Sequence, residues 1–346
     1  MYIVNRPVLR TVFVSNAETA RPVGASEEYG IHPFYELSDG GRRLRNAVAV
    51  VLSLQIAFCA VPMYGGEFAA NAQESASAWQ LAQSNPTEIM RQTLRNEIAS
   101  SYGNRAPLRY RLKKISATSN TVKQIVETAD GGVSRLIESD GKPLSAVQQK
   151  REIERLKALD RDPSIEAHRR RNETRDVERT RKFMRLLPDA FVYQYAGSLK
   201  HAKGTFIRLT FEPNPKFSPP DFESRILTGI HGEIWIDPAD LRIAHIEGKT
   251  FRQVDFGWGI LGTLYPGGTL LIEQTNTSTC GWQLSHLELH LQGKELIFKS
   301  LHIELKETAE DYERTPKNWT YHDAVRWLLA MPMSAESTGQ TLTQGE

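Results

Sequence analysis

Ser285-His286-Leu287-Glu288-Leu289-His290-Leu291-Gln292 alternates polar and apolar side chains at every step. Successive side chains of a strand point to opposite faces, so Leu287, Leu289 and Leu291 share one face and His286, Glu288 and His290 the other. One buried and one wet face is the pattern of an antiparallel sheet. The same alternation recurs to either side. Ile207, Leu209 and Phe211 share a face, Leu270 and Ile272 do so, and Ile234 and Ile236 flank Trp235. Strand-like segments cover residues 191–196, 205–212, 223–228, 232–237, 242–254, 268–277, 284–292 and 295–304. Three more, at 108–117, 121–129 and 133–139, are separated by Ser119-Asn120 and Asp130-Gly131-Gly132, both good turn sequences. The connections are too short for crossover helices, which excludes a parallel sheet. About 9 to 11 strands exceed a comfortable open sheet, so it should curl. The expected class is α+β, a curved antiparallel half-barrel with helices packed on its concave face.

Helical signals bracket these strands. Residues 73–85 read as a small-residue, polar linker. Asn85-Pro86-Thr87-Glu88 then supplies an N-cap, a proline at the first helical position and an acid at the third. Met90, Leu94 and Ile98 recur every four residues as one apolar stripe, so a helix should run to about Tyr102 and stop at Gly103. A helical insertion is expected at 145–187: Ser145 with Gln148 opens one helix, and Asp162-Pro163 opens another that ends before Pro188. The insertion is rich in interleaved charges, the mark of a solvated helix face laced with ion pairs. His168-Arg169-Arg170-Arg171 invites comparison with nucleic-acid or anionic-lipid contacts, but a net charge of +2 over 346 residues does not describe a nucleic-acid binder. A short helix is expected from Trp319 to Ala330, followed by a disordered tail within 316–346.

Arg42-Arg43-Leu44-Arg45 precedes an apolar run at 46–61, and Ala70-Asn71-Ala72 follows, in the order of an export signal. Sixteen helical residues span about 24 Å, short of the roughly 30 Å hydrocarbon core. The expectation is a signal peptide at 42–72 cleaved after Ala72, placing the mature chain in the periplasm; the alternative is an inner-membrane anchor at 46–61. Residues 1–41 read as a disordered or mis-assigned extension. Of the two cysteines, Cys59 lies in the signal, preceded by a bulky Phe58 that argues against lipidation, and Cys280 is left without a disulfide partner.

No motif carries chemistry. Gly257-Trp258-Gly259-Ile260-Leu261-Gly262 matches a dinucleotide fingerprint, yet Thr263-Leu264-Tyr265-Pro266-Gly267 follows, not the helix whose N-terminus would receive the pyrophosphate. His286-x-Glu288-x-His290 puts three ligand types on one strand face, but a wet face needs polar residues anyway. No G-x-S-x-G occurs, and Cys280 has no local histidine. No catalytic residue, metal or cofactor is assigned. The stretch around the glycines is rich in large apolar residues: Phe256, Trp258, Ile260, Leu261, Leu264 and Tyr265. Exposed, they would form a membrane or partner contact; the other reading is a loop folded back as a plug.

The order of elements, with Gly232-Glu233-Ile234-Trp235-Ile236-Asp237-Pro238 and Leu241-Arg242-Ile243, resembles the LolA/LolB-like, or outer-membrane lipoprotein-sorting protein, superfamily. The resemblance covers roughly 86–306 of an expected domain at 86–315; the insertion is longer and more charged than a simple lid. It implies a half-barrel whose apolar face carries acyl chains. On it rests the expected function: a non-catalytic periplasmic carrier of a lipid or lipidated protein, with possible membrane-surface contact and no nucleic acid. The expected cavity lining is Leu209, Phe211, Ile234, Ile236, Leu270, Ile272, Leu287 and Leu289, covered by Met90, Leu94 and Ile98. Each of these residues also suits a plain core. The alternatives are an envelope structural or assembly protein with a filled barrel and, further off, a periplasmic hydrolase.

Overall fold

Thirteen strands form one antiparallel sheet in the order β4-β3-β2-β1-β13-β12-β11-β8-β7-β6-β5, with β9 and β10 joined to it through β12. The structure is a computed structural model that describes residues 68–102, 106–256, 262–295 and 299–332. The strands are β1 (Leu108–Ser116), β2 (Ser119–Thr128), β3 (Gly131–Ser139), β4 (Lys142–Pro143), β5 (Phe191–His201), β6 (Gly204–Pro213), β7 (Ile230–Asp237), β8 (Arg242–Thr250), β9 (Val254–Phe256), β10 (Gly262–Leu264), β11 (Thr269–Thr277), β12 (Gly281–Glu295) and β13 (Lys299–Arg314). The helices are α1 (Phe68–Ser84), α2 (Pro86–Tyr102), α3 (Ala146–Arg161), α4 (Pro163–Ala190) and α5 (Tyr321–Ala330). None of the described helices is long and apolar enough to cross a membrane. The antiparallel reading is correct, and the sheet is not closed: its ends are β4 and β5.

Five local expectations need correction. Residues 74–84 are helix, not linker. Ala78 and Ala82, one turn apart, bury against the core, and alanine is the best helix former. The expected cleavage point after Ala72 falls inside this helix. Residues 223–229 form a 3₁₀ turn instead of a strand, with consecutive Ile226 and Leu227 both buried. The expected strand 242–254 breaks at Phe251, which is 46% exposed. β13 runs ten residues past Glu304, its acids matched by β1: Arg109 pairs with Glu313 and Lys114 Nζ lies 2.9 Å from Glu307. Finally, α4 does not end before Pro188 but carries it in its last turn and runs on to Ala190. Two short strands, β4 and β10, went unforeseen. Asp140 and Gly141, at φ 55° and 74°, make the two-residue turn into β4.

Two main apolar cores hold the sheet, beside a small third cluster of Phe206, Ala244 and Trp282. The larger takes Ala78 and Ala82 from α1, Ile89, Met90 and Leu94 from α2, and inward residues of β5 to β13. The smaller joins Val126 and Val133 to Leu156 and Leu159 of α3 and Ala324, Val325 and Leu328 of α5. Register fixes their relation. Leu305 belongs to the larger core and shares a face with Ala309, which sits opposite Leu112. Val126 sits opposite Arg109, on the other face of β1. The cores therefore lie on opposite faces, so helices cover both sides where the sequence suggested one.

The insertion also closes a sheet edge. Outward-pointing backbone groups of β3 find side chains in place of a strand. Gly132 N–H donates to Glu173 Oε1 (3.1 Å) and Leu136 N–H to Glu152 Oε1 (2.7 Å). Gly132 O accepts from Arg169 (2.7 Å) and Ser134 O from Arg155 (2.6 Å). The charges expected on a solvated helix face are in part buried: Glu152, Glu166 and Arg169 are each below 9% exposed. Burial raises the Glu152 pKa, but hydrogen bonds and charge from Arg155, with the Leu136 N–H, outweigh it and leave the carboxyl below its usual range. For Glu173 burial prevails over Arg169, and its pKa is raised.

Candidate functional site

The structure gathers all eleven expected cavity residues on one apolar face. Met90, Leu94, Leu209, Phe211, Ile234, Ile236, Ile272, Leu287 and Leu289 are buried in one cluster, with Ile98 and Leu270 half-buried against it. Helix α2 owes its placement to its stripe and to its start, where Asn85 Oδ1 accepts from Glu88 N–H at 3.0 Å. Beside it Phe191 packs edge-on against Phe211, ring centres 4.8 Å apart. Tyr193 donates from its hydroxyl to Leu187 O (2.9 Å), and burial pushes its phenol above the ordinary value.

One polar node interrupts this face, and it was not foreseen. Glu97 of α2 is fully buried; its Oε2 lies 2.7 Å from Arg242, itself 5% exposed. Oε1 accepts from Ile243 N–H at 2.8 Å and from Gln274 Nε2 at 3.4 Å. The adjoining β7–β8 turn is built to present Arg242. Asp237 Oδ1 accepts from Ala239 and Asp240 N–H (3.0 and 2.8 Å), and Leu241 takes φ 46°. Asp240 Oδ2 accepts from Trp282 Nε1 at 2.7 Å, while Asn96 of α2 donates to Asp240 O at 3.3 Å. A sequence signal existed. Glu97 lies three residues beyond Leu94, on the covered side of an otherwise apolar stripe.

The apolar loop is corrected in part. Tyr265, just past β10, is half-buried, whereas Phe256 and Leu264 are fully buried in the larger core, because β9 and β10 pair and turn these two side chains inward. They are not available to a membrane. Trp258, Ile260 and Leu261 lie outside the described residues. In the histidine trio, Glu288 Oε1 is 3.0 Å from His286 Nε2 and 2.6 Å from Lys306 Nζ, an ion pair across β12 and β13. A second group unforeseen from sequence gathers on β1, β2 and β13. Burial, then Lys114, lowers the Lys123 pKa, while fully buried Glu307 pairs with Lys114.

Two clefts stand out among the described residues. One, of about 510 Å³, lies between the 3₁₀ turn and the β8–β9 connection; the other, about 20 Å³, lies beside Arg135 and Glu152. Neither is lined by the eleven apolar residues, whose face is filled by α2 and the chain's own side chains. No protein-family model matches the chain, and no curated protein matches it.

Proposed function

We propose that the protein is a non-catalytic carrier that takes up an acyl chain on the apolar face beneath α2. The observation that carries this reading is the arrangement of that face. Inward residues of nine strands form one apolar surface, and α1 and α2, the first described helices, cover it. The curved half-barrel implied by the resemblance belongs to the same proposal, as does a periplasmic location.

Energetics set a condition on such a cargo. Uncovering Ile89, Met90 and Leu94 costs about 5 to 9 kcal/mol. Burying an acyl chain returns about 0.8 kcal/mol per CH₂, hence about 12 kcal/mol for sixteen carbons and about 6 for eight. Association entropy opposes both. Only the long chain displaces the helices. Native mass spectrometry of the full chain with fatty acids of graded length tests this: a sixteen-carbon adduct without an eight-carbon one is expected. No adduct at any length would sink the carrier. That result would favour the reading which the filled face also suits, an envelope structural or assembly protein with a permanent core.

A further inference from the structure

We propose that the cleft between the 3₁₀ turn Glu223–Gly229 and the β8–β9 connection binds a phosphate group through Arg225 and Arg252. The proposal stands apart from the acyl-carrier reading, since the cleft shares none of the eleven residues of the apolar face and meets the larger core only at Val254. Its described lining includes Ser218, Thr228, Gln253 and Asp255, with Pro219 and Val254 as the apolar wall, around about 510 Å³. That volume is within the roughly 300 to 1,000 Å³ of small-molecule sites.

The charges around the cleft are unbalanced. Most arginines with a carboxylate in reach are paired here, Arg91, Arg170, Arg179 and Arg208 among them. Arg225 and Arg252 have no acidic partner among the described residues. The one carboxylate in the lining is already engaged: Asp255 Oδ1 accepts from Thr263 Oγ1 and from Gln253 Nε2, both at 2.9 Å. Ser218 adds a hydroxyl.

Both guanidiniums start from fixed backbone. Arg225 is preceded by Ser224, whose N–H donates to Asp221 Oδ1 at 2.8 Å, and followed by the buried Ile226 and Leu227. Lys182 holds Asp221 in turn, at 2.7 Å. Arg252 follows Phe251, whose N–H donates to Gly229 O at 3.0 Å. Its stem passes close to Gly229, and its guanidinium lies 5.6 Å from the centre of the Phe251 ring. A carboxylate has two oxygens and saturates one planar fork. Two forks from separate elements suit a tetrahedral oxyanion, with acceptors left for the Ser218 hydroxyl.

A phosphate can arrive free or on a lipid headgroup, and the test has an arm for each. The full chain is titrated with inorganic phosphate by calorimetry. It is also sedimented with vesicles of phosphatidylcholine alone and of an equimolar mixture with phosphatidylglycerol. The variants are R225Q and R252Q, with R151Q and R171Q on the exposed helical insertion as charge-matched single controls. Saturable phosphate binding, weakened at least tenfold by R225Q or R252Q and kept by the controls, supports the site. If binding to the mixed vesicles also falls about fivefold for each cleft arginine, the headgroup is the source; unchanged vesicle binding assigns a soluble phosphate compound. No phosphate binding, or an equal loss in the controls, would overturn the proposal. All four arginines are exposed, and circular dichroism verifies that each variant folds.

Discussion

Removing the Glu97 carboxylate should be among the costliest single changes in this chain. Glu97→Ala leaves Arg242 charged and 5% exposed, and strips Ile243 N–H of its acceptor. Breaking a buried pair from one side costs about 3 to 5 kcal/mol, because the surviving charge stays buried without compensation. The orphaned amide belongs to the same loss and is not counted twice. Against a total stability of about 5 to 15 kcal/mol, that is at least about a fifth of the margin. For a domain of this size it corresponds to a fall in Tm of about 10 °C. Urea unfolding followed by tryptophan fluorescence measures the loss, and hydrogen exchange at the Ile243 amide localises it. Glu97→Met with Arg242→Met removes both charges and leaves only the Ile243 amide and Gln274 without their acceptor, so it should cost less than Glu97→Ala, about 1 to 3 kcal/mol. A Glu97→Ala cost below about 1 kcal/mol would refute the reasoning. So would a double variant as damaged as the two single changes together.

Two further outcomes follow from other parts of the sheet. Gly232→Ala should cost at least about 2 kcal/mol or prevent folding, since a Cβ there would lie 1.9 Å from Glu247 O, a backbone atom that moves only with its strand. Gly132→Ala, with its nearest atom 4.0 Å away, is the control, and equal losses in thermal unfolding would discredit the close-approach argument. His245 stacks on Trp235 at 4.0 Å, and burial lowers its pKa below 6.5 despite the raising influence of Glu273, Glu247 and Glu233. The unfolded chain then takes up the proton more readily, so this contribution is complete above about pH 6.5 and is lost as pH falls below it. His245→Gln should flatten that slope in urea unfolding measured across the window, and an NMR midpoint at or above 6.5 would contradict it.

Much of the sheet was legible because its strands are half-buried. β6, β7 and β12 alternate cleanly, and the larger core draws on the residues that alternation selects. The start and end of α2 were readable from Asn85-Pro86 and Tyr102. What failed has physical causes. α1 has a short apolar face made largely of Ala78 and Ala82, which do not register as a stripe. The second half of β13 hides its strand character under Glu310, Asp311 and Glu313, acids stabilised by the basic residues of a strand nearly two hundred positions away. Glu97 was legible only in part: its position beside the α2 stripe can be read from the sequence, but its partner Arg242 is brought to it by the fold. Phe256 and Leu264 looked like a surface patch because the pairing of β9 with β10 is tertiary information.

The side-chain caps along β3 give the helical insertion a role beyond decoration. A chain shortened by deleting 145–187 would keep most of its larger core, yet bare the amides and carbonyls of Gly132, Ser134 and Leu136 along a straight rim. Such a rim recruits any extended backbone, including that of a sister molecule. The insertion thus acts as a selvedge, and trimming it would leave that rim open to neighbouring molecules.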